Sequence, residues 1–207
     1  MKKLILSIIT TTILWFFMFS PWTKGCVNFW YSMTAAAFIL ICISWRSTLT
    51  SQKKLTDQYS PLKTMMLGVV IAVVMWGVFF IGDKLSQLLF DFARPEVNNI
   101  YAMKGDISLT YIALALLLLI GPAEEIFWRG YIQEKLQSRL SDNVGFIVAT
   151  LIYTLIHIWS FNFMLIMAAL VCGVVWGFIY RLDKRTLPAL ILSHALWDCA
   201  AFAVFPF

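Results

Sequence analysis

Six ionisable side chains stand inside long apolar runs of this 207-residue chain: Glu124, Glu125, Arg129, His157, His194 and Asp198. An Asp at the centre of a bilayer costs about 2.5–3.5 kcal/mol on insertion scales, so such groups face a cavity, a partner or a functional site. Both histidines of the protein are in this set, and ahead of position 106 no acidic residue or histidine interrupts an expected span. In the segment GPAEEIFWRG, residues 121–130, read as a helix, Glu125 and Arg129 are four residues apart on one face, with the acid N-terminal, the favourable order for an ion pair. Glu124 is turned about 100° away from Glu125 and is free to face something else. His194 and Asp198 are again four apart and stack on one face. A carboxylate with an imidazole in hydrogen-bond reach can hold and deprotonate a water. A second imidazole and another polar group opposite can donate to the oxyanion of a tetrahedral intermediate. This set suits hydrolysis of a peptide bond without a covalent intermediate. The sequence has no G-x-S-x-G elbow, no H-E-x-x-H and no cysteine with an obvious adjacent base.

The elements that must position these groups are membrane helices. Hydrophobic residues make up 61% of the chain and charged ones 13%, against about 25% charged in an ordinary soluble domain. Mean hydropathy is +0.82, and repeated apolar runs approach or exceed the roughly 17–25 residues that span a bilayer. The expected fold class is all-α, a polytopic bundle with spans near 4–22, 28–45, 64–82, 107–133, 144–160, 163–181 and 187–205. The N-terminal run is longer than a signal-peptide core and lacks an A-x-A site, so it reads as a retained first span. The stretch from Asp83 to Asp106, with Pro95 inside it, reads as an interfacial helix followed by a loop that covers the mouth of a site. Residues 46–63 read as a polar linker. The expected division is 1–106, N-terminal spans, linker and interfacial segment, and 107–207, a catalytic core.

Basic residues lie at the ends of the apolar runs, which fits membrane orientation and not a nucleic-acid surface. Alternate connections gather Lys2, Lys3, Arg46, Lys53, Lys54, Lys63, Lys135, Arg139, Arg181, Lys184 and Arg185 on one side. Lys24, Lys84, Arg94 and Lys104 fall on the other. The positive-inside rule then sets the N-terminus in the cytoplasm of a multi-pass cell-membrane protein. A turn near Leu140 and Ser141 would bring Glu124 and His157 to equal depth on antiparallel helices. Four polar heads are then expected to converge in the cytoplasmic half of the membrane. Gly121 and Pro122 permit a kink that opens a wet space beside the carboxylates. Cys42, Cys172 and Cys199 lie within apolar runs and only Cys26 in a loop, so no disulfide framework or C-x-x-C site is expected. Gly173 and Gly177 form a G-x-x-x-G that lets two helices approach closely.

Three motifs in order resemble the CAAX prenyl protease and bacteriocin-processing family, also called Abi or CPBP intramembrane proteases. Glu-Glu-x-x-x-Arg matches EEIFWR at Glu124, Glu125 and Arg129; Phe-x-x-x-His matches YTLIH, with Tyr153 in place of Phe and His157 kept; His-x-x-x-Asn or Asp matches HALWD at His194 and Asp198. The resemblance covers about residues 107–205. It implies that Glu124 with His157 activates water, that His194 and Asp198 form the oxyanion side, and that Glu125 and Arg129 hold the geometry. Two departures matter. The Tyr153 hydroxyl needs a partner, and an ionised Asp198 cannot donate a hydrogen bond, so it must be protonated or act by orienting His194.

The function expected from these residues is that of an intramembrane endopeptidase acting from the cytoplasmic side on a membrane-associated, prenylated or leader-type peptide, with the lipid bilayer as its other partner. A variant sets a divalent metal, zinc by ligand preference, on His157, His194 and the Glu124 carboxylate. Ligand spacing leaves metal-assisted and metal-free water activation both open. Two readings of other classes compete: a non-catalytic immunity or scaffold membrane protein, and a proton-coupled transporter, against which the lack of inverted repeats counts.

Overall fold

The computed structural model describes residues 2–207, and among them it holds eight helices and no strands. Seven are long and apolar enough to cross a membrane: α1 Lys2–Phe19, α2 Phe29–Gln52, α3 Pro61–Leu89, α5 Leu109–Gln137, α6 Asp142–Ser160, α7 Phe163–Leu182 and α8 Lys184–Val204. Between α3 and α5 lies the short α4, Ala93–Ala102. Polar residues start several of the spans. The side chains of Asn28, Ser60, Ser141 and Asn162 accept from backbone N–H groups in the first turns of α2, α3, α6 and α7. These bonds satisfy donors that a helix start leaves orphaned.

All seven expected spans are present; α2 runs on through Arg46 to Gln52, which shortens the expected polar linker of residues 46–63 to 53–60, and the third span, α3, is longer than the apolar run suggested. It continues through Asp83 and Lys84 to Leu89, so a carboxylate does interrupt a span ahead of position 106. Asp83 is 6% exposed. The Asp83 to Asp106 stretch is thus the end of a membrane helix followed by α4, rather than an interfacial helix followed by a loop. Pro95 falls in the first turn of α4, where its missing N–H costs nothing. α4 docks on the start of α7: the Asn162 side-chain amide donates to the Glu96 carbonyl at 2.8 Å, and the Met164 N–H donates to the Glu96 carboxylate at 2.9 Å.

Helices from the two halves of the chain interleave. α3 packs along α8, α2 along α5, and α6 along α7. Gly173 and Gly177 make the last contact close, facing Thr150 and Tyr153, and Gln133 and Phe146 respectively. Two widened turns flank the Glu124 turn in α5. The Gly121 N–H bonds to the Leu116 carbonyl and the Glu134 N–H to the Arg129 carbonyl, each five residues back. Pro122 lacks the N–H that a regular helix would use, which explains the first of these π-type turns. A Cβ on Gly121 would lie 2.8 Å from backbone atoms of Ala195, so only glycine lets α8 come this close to α5.

Candidate active site

Glu125 is the anchor of the site and is fully buried. Its Oε1 accepts from Arg129 Nη1 at 2.6 Å and lies 2.8 Å from His194 Nδ1. The i, i+4 pair read from the sequence is therefore made, and its oxygen also reaches across the α5–α8 contact that Gly121 permits. Arg129 spends a second donor on the Cys172 carbonyl of α7 at 3.0 Å, and its guanidinium lies 5.0 Å from the Tyr153 ring centre and 5.6 Å from that of Trp176. Two helices and two aromatic rings thus hold one buried cation. An ionised Glu125 accepts, so Nδ1 carries the proton on His194. The other nitrogen, Nε2, stands 3.4 Å from Asp198 Oδ2, an ion-pair distance longer than a good hydrogen bond. Trp176 stacks on His194, with ring centres 4.1 Å apart, and fixes the plane of the imidazole.

Glu124 points elsewhere, as its 100° offset requires. It faces a cavity of about 420 Å³ whose wall also contains His157, His194, Asp198 and Tyr153. The Tyr153 hydroxyl donates to Glu124 Oε2 at 3.3 Å, which supplies the partner that replacing Phe with Tyr demands. His157 occupies the last turn of α6, where the helix tightens over Ile156–Ser160. Both of its ring nitrogens are engaged: Nδ1 donates to the Tyr153 carbonyl at 2.8 Å, and Nε2 accepts from the Trp15 indole N–H at 3.1 Å. Trp15 belongs to α1 and is completely buried. Phe19 and Tyr153 close the cage around the ring, with centres 5.7 and 5.2 Å from it.

The remainder of the cavity wall is apolar and comes from every span and α4, with Trp197, Phe79, Phe202 and Met33 among its larger surfaces. Asp83 joins this wall. Its Oδ2 accepts from Gln87 and its Oδ1 is buried without a partner. The Tyr101 hydroxyl of α4, also in the wall, donates to the Ala201 carbonyl at 3.1 Å. The lining includes no lysine or arginine.

The position of the cavity corrects one expectation. Its wall is built from the ends of α1 and α3, the starts of α2 and α7, the ends of α6 and α8, and α4. Because successive spans alternate in direction, all these ends share the face opposite Lys2. The polar residues converge at mid-bundle and open toward that face, not toward the half next to the N-terminal lysines. The hairpin argument gives Glu124 and His157 a common level, and both do line one cavity. It was the assignment of that level to the N-terminal side that failed: His157 is only three residues from the far end of α6.

The donors do not fit a zinc site as they are arranged. Among the described residues no group of three or more His, Cys, Asp or Glu side chains gathers closely enough to hold a metal. Both nitrogens of His157 already have partners.

A motif-ordered site of this geometry accords with comparison to known sequences. Residues 106–200 match the family model for type II CAAX prenyl endopeptidase Rce1-like proteins. This segment is a domain of that family. Membership implies an intramembrane protease. No curated protein and no solved structure matches the chain. The family domain contains Glu124, Glu125, Arg129, Tyr153, His157, His194 and Asp198, whereas Trp15, Phe19 and Asp83 lie outside it and still reach the cavity.

Sequence reasoning missed Trp15, Trp176 and Asp83. A buried indole N–H needs an acceptor, and this chain has nine tryptophans against two histidines. That rule flags tryptophans as a class; only packing shows that Trp15 meets His157.

Proposed function

We propose that the protein is an intramembrane endopeptidase that hydrolyses a peptide bond of a membrane-associated peptide with water activated by Glu124. The observation that carries this reading is the grouping of Glu124, His157, His194 and Asp198 on the wall of one largely apolar cavity. Peptide hydrolysis needs a base for water and donors for the oxyanion. Glu124 is the only one of the two adjacent glutamates without a cationic partner, which leaves it to take the proton of the attacking water. Tyr153 keeps the other side of that carboxylate oriented.

His157 enters through its edge. Its Nε2 lone pair accepts from Trp15, so a water bound between Glu124 and His157 shares or displaces that indole donor. Trp15 is a positioning residue in this scheme: it fixes the tautomer and plane of an imidazole beside the attacking water. On the opposite side His194 carries Nδ1–H to Glu125, and its Nε2, once protonated, donates to the oxyanion. Asp198 at 3.4 Å from Nε2 orients that ring. This is the role an ionised carboxylate can fill where Asn would donate directly. Collapse of the tetrahedral intermediate returns the proton from Glu124 to the leaving amine, and both peptide fragments leave through the cavity.

The eleven basic residues on the side of Lys2, against four on the other, support a cytoplasmic N-terminus. The test compares new peptide termini in membranes of cells expressing the wild type with those expressing Glu124→Gln at matched abundance. Termini present only with the wild type support the reading and identify substrates. Identical termini with both proteins folded contradict it.

A further inference from the structure

The cavity and the charge of the molecule lie at opposite ends. We infer that the active-site mouth faces the extracytoplasmic side, so that the substrate is an apolar peptide segment reached from the outer leaflet or the space beyond it, not a cytoplasmic chain terminus. This rests on the endopeptidase reading for its substrate and on charge and geometry alone for its direction. Asp83, Tyr101 and Val97 line the cavity from the end of α3 and from α4, and Phe29 and Trp30 from the start of α2. Each belongs to the face that holds only Lys24, Lys84, Arg94 and Lys104. These four cations are balanced in number by Asp83, Asp91, Glu96 and Asp106. The far face carries eleven Lys and Arg residues in short connections and span ends, the pattern that retains a segment in the cytoplasm.

Two features of the mouth fit a peptide coming from that side. The wall is largely apolar, which suits a stretch of chain leaving lipid, and α4, packed on α3 and on the start of α7, adds Val97, Ile100 and Tyr101 to it. The acidic side chains along the route are Asp83, Glu124 and Asp198, and the unpartnered Oδ1 of Asp83 is an acceptor for a peptide N–H or a basic side chain. A prenyl group attached to a cytoplasmic C-terminus would have to cross the bilayer to reach this opening. A translocated leader or the outer juxtamembrane segment of another membrane protein would not.

The native Cys26 makes the direction measurable, since it is exposed in the connection between α1 and α2, three residues before the cavity-lining Phe29. In intact cells a membrane-impermeant maleimide should modify Cys26 as fully as it does after permeabilisation, and Cys26→Ser should lose that labelling. Thr56→Cys in the Cys26→Ser background, exposed on the opposite face, should react only after permeabilisation. The reverse pattern, Cys26 protected and Thr56→Cys reactive in intact cells, overturns the inference whatever the enzyme cleaves. Substrate bonds give the second readout. New termini that depend on Glu124 and fall in extracytoplasmic segments support the inference, and Glu124-dependent termini confined to cytoplasmic segments overturn it while leaving proteolysis intact. Absence of any Glu124-dependent terminus contradicts the endopeptidase reading and the substrate assignment that rests on it, and the labelling still decides the direction.

Discussion

Two glutamates side by side in one helix carry different duties, and single substitutions separate them. Glu124→Gln keeps volume and one hydrogen-bond acceptor for Tyr153, so the fold should survive while cleavage drops at least about 100-fold, the low end of what a general base contributes. Arg129→Met should act on stability instead. It leaves Glu125, wholly buried and with an Oε2 that has no other partner, as an uncompensated charge, a loss of about 3–5 kcal/mol visible as lowered melting temperature or failed accumulation. Trp15→Phe keeps an aromatic ring against His157 but removes the N–H that Nε2 accepts. An unsatisfied buried acceptor costs about 1–3 kcal/mol. The prediction is a modest fall in melting temperature, a drop in kcat and little change in KM, because the ring that shapes the cavity remains. A Trp15→Phe protein with unchanged kcat would show that His157 needs no help from α1.

At the scale of elements, the close approach of α5 and α8 sets the site. Gly121→Val would push a side chain into the Ala195 backbone, which cannot yield as a flexible side chain would. Separation of the two helices should break the Glu125–His194 contact first, so activity is expected to fall more steeply than expression, with Gly121→Ala intermediate. The seven spans were legible because an apolar run long enough to cross a bilayer has few other uses, and the caps at Asn28, Ser60, Ser141 and Asn162 sit where polar residues interrupt those runs. The end of α3 was not legible. Asp83 and Lys84 read as a stop signal, yet the helix continues: Asp83 is itself buried and is received by Gln87 one turn on, while Leu85, Leu88 and Leu89 keep an apolar outer surface. The widened turns around Glu124 were legible only as a kink at Gly121 and Pro122. The second widened turn, in which the Glu134 N–H bonds the Arg129 carbonyl, has no proline to announce it.

Across the whole molecule, the site draws on residues far apart in the chain: α1 supplies Trp15, α3 supplies Asp83, and the family domain supplies the rest. The motif residues could be found from their types and spacing, since ionisable groups inside spans are rare. Their surroundings could not, because an aromatic residue facing lipid and one caging an imidazole look the same in sequence. The end of the bundle that holds the cavity was not legible either, as the loop nearest His194 in sequence lies at the other end. The face opposite the cavity has its own stabilising contact. Asp183, between α7 and α8, accepts from Arg185 Nη2 at 2.7 Å and from the Tyr59 hydroxyl at 2.6 Å. The Arg185 guanidinium foremost, and then the Tyr59 hydroxyl, hold its carboxyl well below the usual range. A carboxyl with a depressed folded pKa stabilises the protein fully above its unfolded value of about 3.9, and that contribution erodes below it and is gone only once pH has fallen through the lower folded value. Thermal unfolding of the detergent-solubilised protein should therefore show the advantage of the wild type over Asp183→Asn in full at pH 6 and reduced, but not abolished, at pH 3.

Water activation by Glu124 is tested most directly with a peptide spanning a bond cleaved only in wild-type membranes. With purified protein in lipid nanodiscs, the wild type is predicted to cut that peptide at the same bond, and Glu124→Gln, with an unchanged melting temperature, to cut it at least about 100-fold more slowly. Equal rates from the two folded proteins would contradict the claim and move the catalytic base to another residue.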